Sequence, residues 1–274
     1  MSELHVYDAS QGVAEGFTST AHDYDATVRH NVQGAWRLVM SLPPGDHRRI
    51  LDVGCGTGWA SLAMLERFPG ITHVTGVDPA EGMLEVFRGK TAGLGGVEVD
   101  LRAAGVMDMG VAEGAYDAVV SSMAFHWFPD KQGAVHAMAA PLAPGGVLGI
   151  LASGAGGEGE FRDVVRSLDP PAPREWDAAF DFAQRDVDHM ESYLVQAGLE
   201  PLDIWIEKRL RHSTPEAYME RMRVVASHVT PADIPAEELE DLGRRLNEAM
   251  HAASGPRGFA YTFCKLYAVA RKPS

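Results

Sequence analysis

Directly after a short apolar run the chain places three glycines at alternate positions, in the segment Leu51-Asp-Val-Gly-Cys-Gly-Thr-Gly58. Arg49–Val53 has the length and composition of a buried strand. Trp59–Arg67 reads as a helix, stopped by Pro69-Gly70. Glycines between a buried strand and a helix let the backbone come close to a ligand at the carboxyl edge of that strand. The diphosphate-binding pattern G-x-G-x-x-G would need glycine at position 59, where Trp59 stands.

The rest of the first half repeats the strand–helix unit. His73–Val77 reads as a strand, 80–88 as a helix, 97–103 and 116–121 as strands, and 131–142 as a helix. Pro144-Gly145-Gly146 then turns into a strand at 147–152. Alternation with short connections predicts a parallel sheet covered on both faces, an α/β fold. Ahead of it, residues 1–22 are polar and rich in Gly, Ser and Thr and read as loose. Residues 24–42 read as a helix with Val28, Val32, Ala35, Trp36 and Val39 on one stripe. After 152 the rhythm changes. Helices are expected at 161–168 and 188–197, a strand at 202–210, a helical stretch at 214–254 in two pieces, and a last strand at Phe259–Arg271. The organisation expected is an N-terminal helical cap at 1–45 and one ligand-binding domain at 46–274, with lid segments at 153–185 and 214–254.

Charge narrows the partners. The formal net charge is −14, which opposes docking on nucleic-acid phosphates or anionic lipid. The Lys/Arg clusters are short (Arg48-Arg49, Lys208-Arg209 with Arg211, Arg244-Arg245) and read as solvated faces. Two cysteines, Cys55 and Cys264, make no disulfide framework, and the eleven histidines never fall into HxxxH or HExxH, so no metal is expected. The first twenty residues lack the basic start and apolar core of a leader. Apolar runs such as 147–152 fall far short of the roughly 20 residues of a membrane span. A cytoplasmic protein with a small-molecule substrate is the expectation, with self-association as a homo-oligomer left open.

Two acids then specify the ligand. Asp52 lies two residues before the first glycine, where it suits a ligand with positive charge and would repel a diphosphate. Asp78 ends the second strand, where a carboxylate can accept hydrogen bonds from both hydroxyls of a ribose. A ribose with a nearby cation describes S-adenosylmethionine.

At these residues the sequence resembles the class I S-adenosylmethionine-dependent methyltransferases, over nearly the whole chain. The acid-x-Gly-x-Gly-x-Gly motif stands as Asp52, Gly54, Gly56 and Gly58, and the ribose acid as Asp78 followed by Pro79. Met83 matches a position that packs on the adenine, Tyr116-Asp117 the start of the fourth strand, and Pro144-Gly145-Gly146 the turn before the fifth. The resemblance implies a Rossmann-like, doubly wound seven-stranded sheet with the last strand antiparallel and a helical lid insertion. It also implies that Ser121, ending the fourth strand, lies on the cofactor side. One position departs from the pattern: where the family commonly has Gly-Asp after the third strand, this chain has Ala104-Gly105. Either the backbone at Gly105-Val106 or the side chain of Asp108 takes over that contact.

Within the family the layout is similar to the subgroup containing trans-aconitate methyltransferase and malonyl-carrier-protein O-methyltransferase, and to natural-product methyltransferases. The shared features are Phe17…Tyr24, Gly56-Thr-Gly-Trp59, Ser121-Ser-Met-Ala-Phe-His-Trp127 and the closing Tyr261-Thr-Phe. This implies O-methylation of a carboxylate or hydroxyl, with carbon and nitrogen acceptors, or a protein that binds the cofactor without methylating, as alternatives. A carboxylate with pKa about 4 is already ionised, whereas a phenol, alcohol or ammonium needs a base, most often His. His126 lies just past the fourth strand and is the candidate. Tyr24 and Gln33, in the segment that folds over the cofactor in similar enzymes, are candidate cofactor contacts. Trp127, Phe180 and Met222 are candidate substrate contacts, the last two on the lid. Arg221 and Arg223 are candidates to pair with a substrate carboxylate.

Overall fold

The computed structural model describes residues 9–27, 29–173, 185–226 and 234–274. Its centre is one seven-stranded sheet in the order β3-β2-β1-β4-β5-β7-β6. The strands are β1 (Arg49–Val53), β2 (His73–Val77), β3 (Glu98–Arg102), β4 (Tyr116–Ser122), β5 (Leu142–Ser153), β6 (Glu200–Ser213) and β7 (Phe259–Arg271). The first five pair in parallel, and β7 runs antiparallel to both β5 and β6. The order reverses between β1 and β4, and ligands of open α/β sheets bind outside the carboxyl ends of the strands at such a switch point.

Residues alternate faces along a strand, so adjacent apolar residues enter different cores. Ile50, Ala118 and Val120 pack under α2 (Arg29–Ser41), α3 (Trp59–Arg67) and α4 (Glu81–Thr91), against Ala35, Val39, Ala63 and Leu84. Leu51, Val119 and Ile150 face the other way, toward Val135 and Met138 of α5 (Lys131–Ala139) and Met190 and Leu194 of α7 (Val187–Gln196). α6 (Gly159–Arg166), α8 (Pro215–Ala226) and α9 (Ala236–Ala252) gather a third core on β7, with Phe161, Tyr218, Leu246 and Phe259 at its centre. No helix among the described residues is long and apolar enough to cross a membrane.

The N-terminal segment corrects an expectation. Instead of a loose start, α1 runs Ala9–Thr27, and a second helix begins at Arg29. Phe17, Ala21 and Tyr24, at spacings of four and three, form one stripe that packs on Ala80, Met83 and Val86 of the α4 region. The helices meet closely: a Cβ on Gly82 of α4 would lie 2.8 Å from the carbonyl oxygen of Thr18.

Candidate functional site

The glycine segment is folded back onto the sheet. The Gly54 and Cys55 amides both donate to the Val77 carbonyl, at 2.7 and 3.1 Å, which pins the turn across the ends of β1 and β2. Gly54 has φ +65°, and a Cβ there would stand 2.2 Å from that of Ala124. Gly56, at φ +51°, has nothing within 4 Å of a built Cβ, so its missing side chain is open space.

That space is a cavity of about 490 Å³, within the range of small-molecule and cofactor sites. Its floor is Gly54–Thr57, Asp78–Ala80 and Met83; one wall is 104–108; another is Ser122–Ala124 and Trp127–Pro129. Its roof is α1, through Val13, Ala14, Phe17 and Tyr24, with Asn31 and Ala35 of α2. Phe17 meets both Tyr24 and Trp127 edge to face, at 5.9 and 6.0 Å.

Asp78 is the charged group of the floor. One oxygen accepts from the Gly56 amide at 2.8 Å and the other from the Ala80 amide at 2.9 Å. Burial nevertheless outweighs those bonds and pushes its pKa up to about 6. Asp52 lies behind the floor rather than on it. Its Oδ2 accepts from the Ser61 amide and hydroxyl at 3.1 and 2.7 Å, while its Oδ1 is buried without a hydrogen-bond partner. Burial, with a smaller push from the charge of Asp78, raises it to about 7. Two neighbouring desolvated carboxylates are the electrostatic complement of a cationic ligand. Across the cavity, the Asn31 amide donates to the Tyr24 hydroxyl at 3.4 Å, and its own Oδ1 is buried and unpartnered. The Tyr24 hydroxyl is pushed by burial up to about 12, so at neutral pH it is a hydrogen-bond donor. A glycine cradle, a buried carboxylate at the end of β2, a second buried acid behind it and an apolar surround fit a nucleoside that carries positive charge.

A methyltransferase-domain family model matches residues 50–146, which hold β1 to β4, the glycine segment and Asp78. The chain is 34% identical over 142 residues to a malonyl-[acyl-carrier protein] O-methyltransferase of Acetivibrio thermocellus, a match spanning 50% of this chain and about half, 48%, of that relative's length. It is 38% identical over 158 residues to the demethylmenaquinone methyltransferase of Thermus thermophilus, 55% of this chain and 70% of the relative. The chain belongs to the class I S-adenosylmethionine-dependent methyltransferases. S-adenosylmethionine is the cofactor of that family. A solved phosphoethanolamine N-methyltransferase 2 from Haemonchus contortus, a complex with phosphomonomethylethanolamine and S-adenosylhomocysteine, shares the fold at TM-score 0.59 and 17% identity, covering 98% of this chain and 61% of that one.

In this methyltransferase the cavity gathers Tyr24, Gly54, Gly56, Asp78, Pro79, Met83, Gly105, Val106 and Trp127 from the residues singled out in sequence. Asp108 lines it too, so both substitutes for the missing acid after β3 are present. Other candidates stand elsewhere. Gly58, at φ +88°, lies against the Phe87 ring, where a Cβ would come within 2.2 Å, and serves the turn into α3. Ser121 is fully buried and its neighbour Ser122 lines the cavity instead. Gln33 lies on the far side of α2 from Asn31, in a separate recess. Met222 is buried in the core of α6, α8 and α9 and is not among the cavity-lining residues. Arg221 is already held by Glu158 at 2.8 Å. Phe180 lies outside the described residues. His126 sits in a single 3-10 turn, Phe125–Trp127, its ring 4.8 Å from that of Trp127 and its carbonyl accepting from Lys131 and Arg185, both at 3.3 Å. It is not among the cavity-lining residues.

Sequence reasoning missed Asp25, which ties the roof to the floor. Its Oδ1 accepts from the Thr57 hydroxyl at 2.6 Å and the Trp59 indole at 2.9 Å, and its Oδ2 meets Lys90 at 2.5 Å. Lys90 in turn donates to the Thr57 carbonyl and lies 4.3 Å over the Trp59 ring. Burial pushes the carboxyl up, but bonds from Lys90, Thr57 and Trp59 outweigh it and hold the pKa below the usual carboxylate range. The latch therefore holds at neutral pH and is lost only as pH falls through that lowered value. Asp25→Ala is expected to raise the S-adenosylhomocysteine Kd about tenfold by freeing α1, since one charge-assisted hydrogen bond is worth about 1.5 kcal/mol or more. Calorimetric titration tests this, and an unchanged Kd would rule out the latch.

Proposed function

We propose that this chain binds S-adenosylmethionine in the cavity under α1 and transfers its methyl group to an oxygen of a small molecule, a carboxylate being the acceptor that suits the lining best. When bound, the cofactor supplies a methyl group on a positively charged sulfur. Asp78 would hold its ribose, Pro79, Met83 and the backbone of Gly105 and Val106 its adenine, and Tyr24 with Asn31 its charged end. Phe17, Trp127 and Phe128 keep water from the transfer, which depends on near-attack placement.

The observation that supports the acceptor class is that no histidine is among the described residues lining the cavity. Among the described residues lining the cavity the titratable ones are Tyr24, Cys55, Asp78 and Asp108, and no histidine. Tyr24 stays protonated at neutral pH, and burial raises the Cys55 thiol well above its ordinary value. An acceptor that arrives ionised needs no proton removed, which favours a carboxylate over a phenol, alcohol or ammonium.

The test is S-adenosylhomocysteine release with matched panels of carboxylic acids, phenols and amines at pH 7.5. Turnover of acids, at least tenfold above the other classes and retained in His126→Ala, is the expected result. Turnover of phenols or amines alone would reject the carboxylate reading. Cofactor binding without product from any class would reject methyl transfer and leave a protein that uses the cofactor otherwise.

A further inference from the structure

On the other side of α2 from the cavity lies a recess of about 40 Å³, lined by Arg37, Glu207, Arg209, Arg211, Phe263 and Lys265 among others. That is room for about three water-sized groups, enough for a carboxylate or a phosphate and too small for a whole metabolite. The recess is cationic in a chain of net charge −14. Of its described lining residues, four are basic and Glu207 alone is acidic. Glu207 is already engaged, by Arg37 at 3.4 Å and by Arg209.

Arg211 is left. Its guanidinium lies 5.9 Å from the centre of the Phe263 ring, and Arg221 and Lys265 stand 5.8 and 5.6 Å from the same centre. Cation–π attraction accounts for a cation near the ring, and Glu158 already holds Arg221, but neither supplies a partner for the Arg211 Nε. The Arg211 Nε is buried with no hydrogen-bond partner, and so is the Oγ of Ser213, two residues along the same strand face. Buried donors are normally satisfied, and each orphan costs on the order of 1–3 kcal/mol. Burial, and then the charge of Arg211, lower the Lys265 pKa to about 8.

We infer that the recess between α2 and the β6–β7 pair binds a small anion, a carboxylate or phosphate, with Arg211 as its principal ligand. The site is separate from the cavity: Asn31 and Ala35 face the cavity on one side of α2, while Gly34 and Arg37 face the recess on the other.

The recess can be tested independently of the methyltransferase reading. Inorganic phosphate and tricarballylate are each titrated calorimetrically into the wild type, Arg211→Gln and Arg211→Lys, at ionic strength fixed with sodium chloride. S-adenosylhomocysteine is titrated separately into all three. Saturable binding of at least one anion, weakened tenfold or more in Arg211→Gln and partly restored in Arg211→Lys, with S-adenosylhomocysteine binding unchanged, is expected. The tighter of the two anions tells phosphate from carboxylate. No saturable binding of either anion to the wild type, or equal binding by Arg211→Gln, overturns the inference. The wild-type titration decides even if Arg211→Gln fails to fold. Failure of S-adenosylhomocysteine to bind the wild type would instead overturn the cofactor reading, leaving the anion result to stand alone.

Discussion

Asp78→Ala is expected to weaken S-adenosylhomocysteine binding by roughly 100-fold or more while the ligand-free protein stays folded. A carboxylate that accepts from two hydroxyls makes two charge-assisted hydrogen bonds, each worth about 1.5–3 kcal/mol, and about 1.4 kcal/mol is tenfold in Kd. Each Asp78 oxygen spends one lone pair on the Gly56 or Ala80 amide and keeps another for a ligand. Asp78→Asn retains one carbonyl acceptor and is expected to fall between, at about tenfold. The fold is spared because the carboxylate is itself costly to bury. A Kd for Asp78→Ala within threefold of wild type would remove Asp78 from the site.

The same residue sets a pH dependence of opposite sign for stability and binding. Its folded-state pKa, about 6, lies above the unfolded value near 3.8. A raised pKa means that the contribution of Asp78 to stability is fully present below the unfolded value and is lost as pH rises through about 6. Asp52, raised to about 7, acts in the same direction. The ligand, in contrast, favours the ionised carboxylate, so affinity should be flat above about pH 7 and fall by up to tenfold per unit below about 6. Between pH 7 and 5 these groups therefore raise the melting temperature of the ligand-free protein while the shift produced by S-adenosylhomocysteine shrinks. A Kd that does not change between pH 5 and 8 would contradict this.

The residues that were readable in sequence are those whose role is fixed locally. Gly54 and Gly56 must admit a ligand where β1 ends, and Trp59–Arg67 follows as a helix because nothing there breaks its spacing. The sheet order and the antiparallel β7 agree with what the family resemblance implies. The misses have a common cause in helix phase and distance. Tyr24, Asn31 and Ala35 share the cavity, but α1 ends at Thr27 and α2 begins at Arg29, so the single helix expected over 24–42 is broken and its phase reset. Two positions on from Asn31, Gln33 is turned about 200° around the helix axis and so faces the recess. Asp25 finds Thr57, Trp59 and Lys90 only through tertiary contact. Arg211 reads as one more surface cation until β6 pairs it with Tyr261 on β7 and buries its Nε.

A second large effect is expected far from the cofactor. Glu158→Ala should destabilise the protein by about 3–5 kcal/mol, the usual result of stranding one partner of a buried ion pair. Glu158 is 3% exposed. It accepts from the Tyr218 hydroxyl at 2.7 Å and from Arg221 at 2.8 Å. Arg221 lies against the rings of Tyr218 and Tyr261, at 4.8 and 5.0 Å, where water cannot replace the lost carboxylate. Glu158 also occupies the left-handed region, at φ +56°, which costs a non-glycine residue about 1 kcal/mol. Evidently the anchor outweighs the strain. Glu158→Gly should then be less damaging than Glu158→Ala by about that amount, because it relieves the backbone while still stranding Arg221. Adding Arg221→Met to Glu158→Gln should recover much of the loss, with a coupling above about 1 kcal/mol in urea unfolding. Coupling below about 0.5 kcal/mol would mean the pair is not what holds α8 to the start of α6. The S-adenosylhomocysteine Kd of the folded variants should stay within threefold of wild type. The pair supports α8, which meets α1 through the Thr20 hydroxyl and the Val224 carbonyl at 3.4 Å, but none of its atoms lines the cavity.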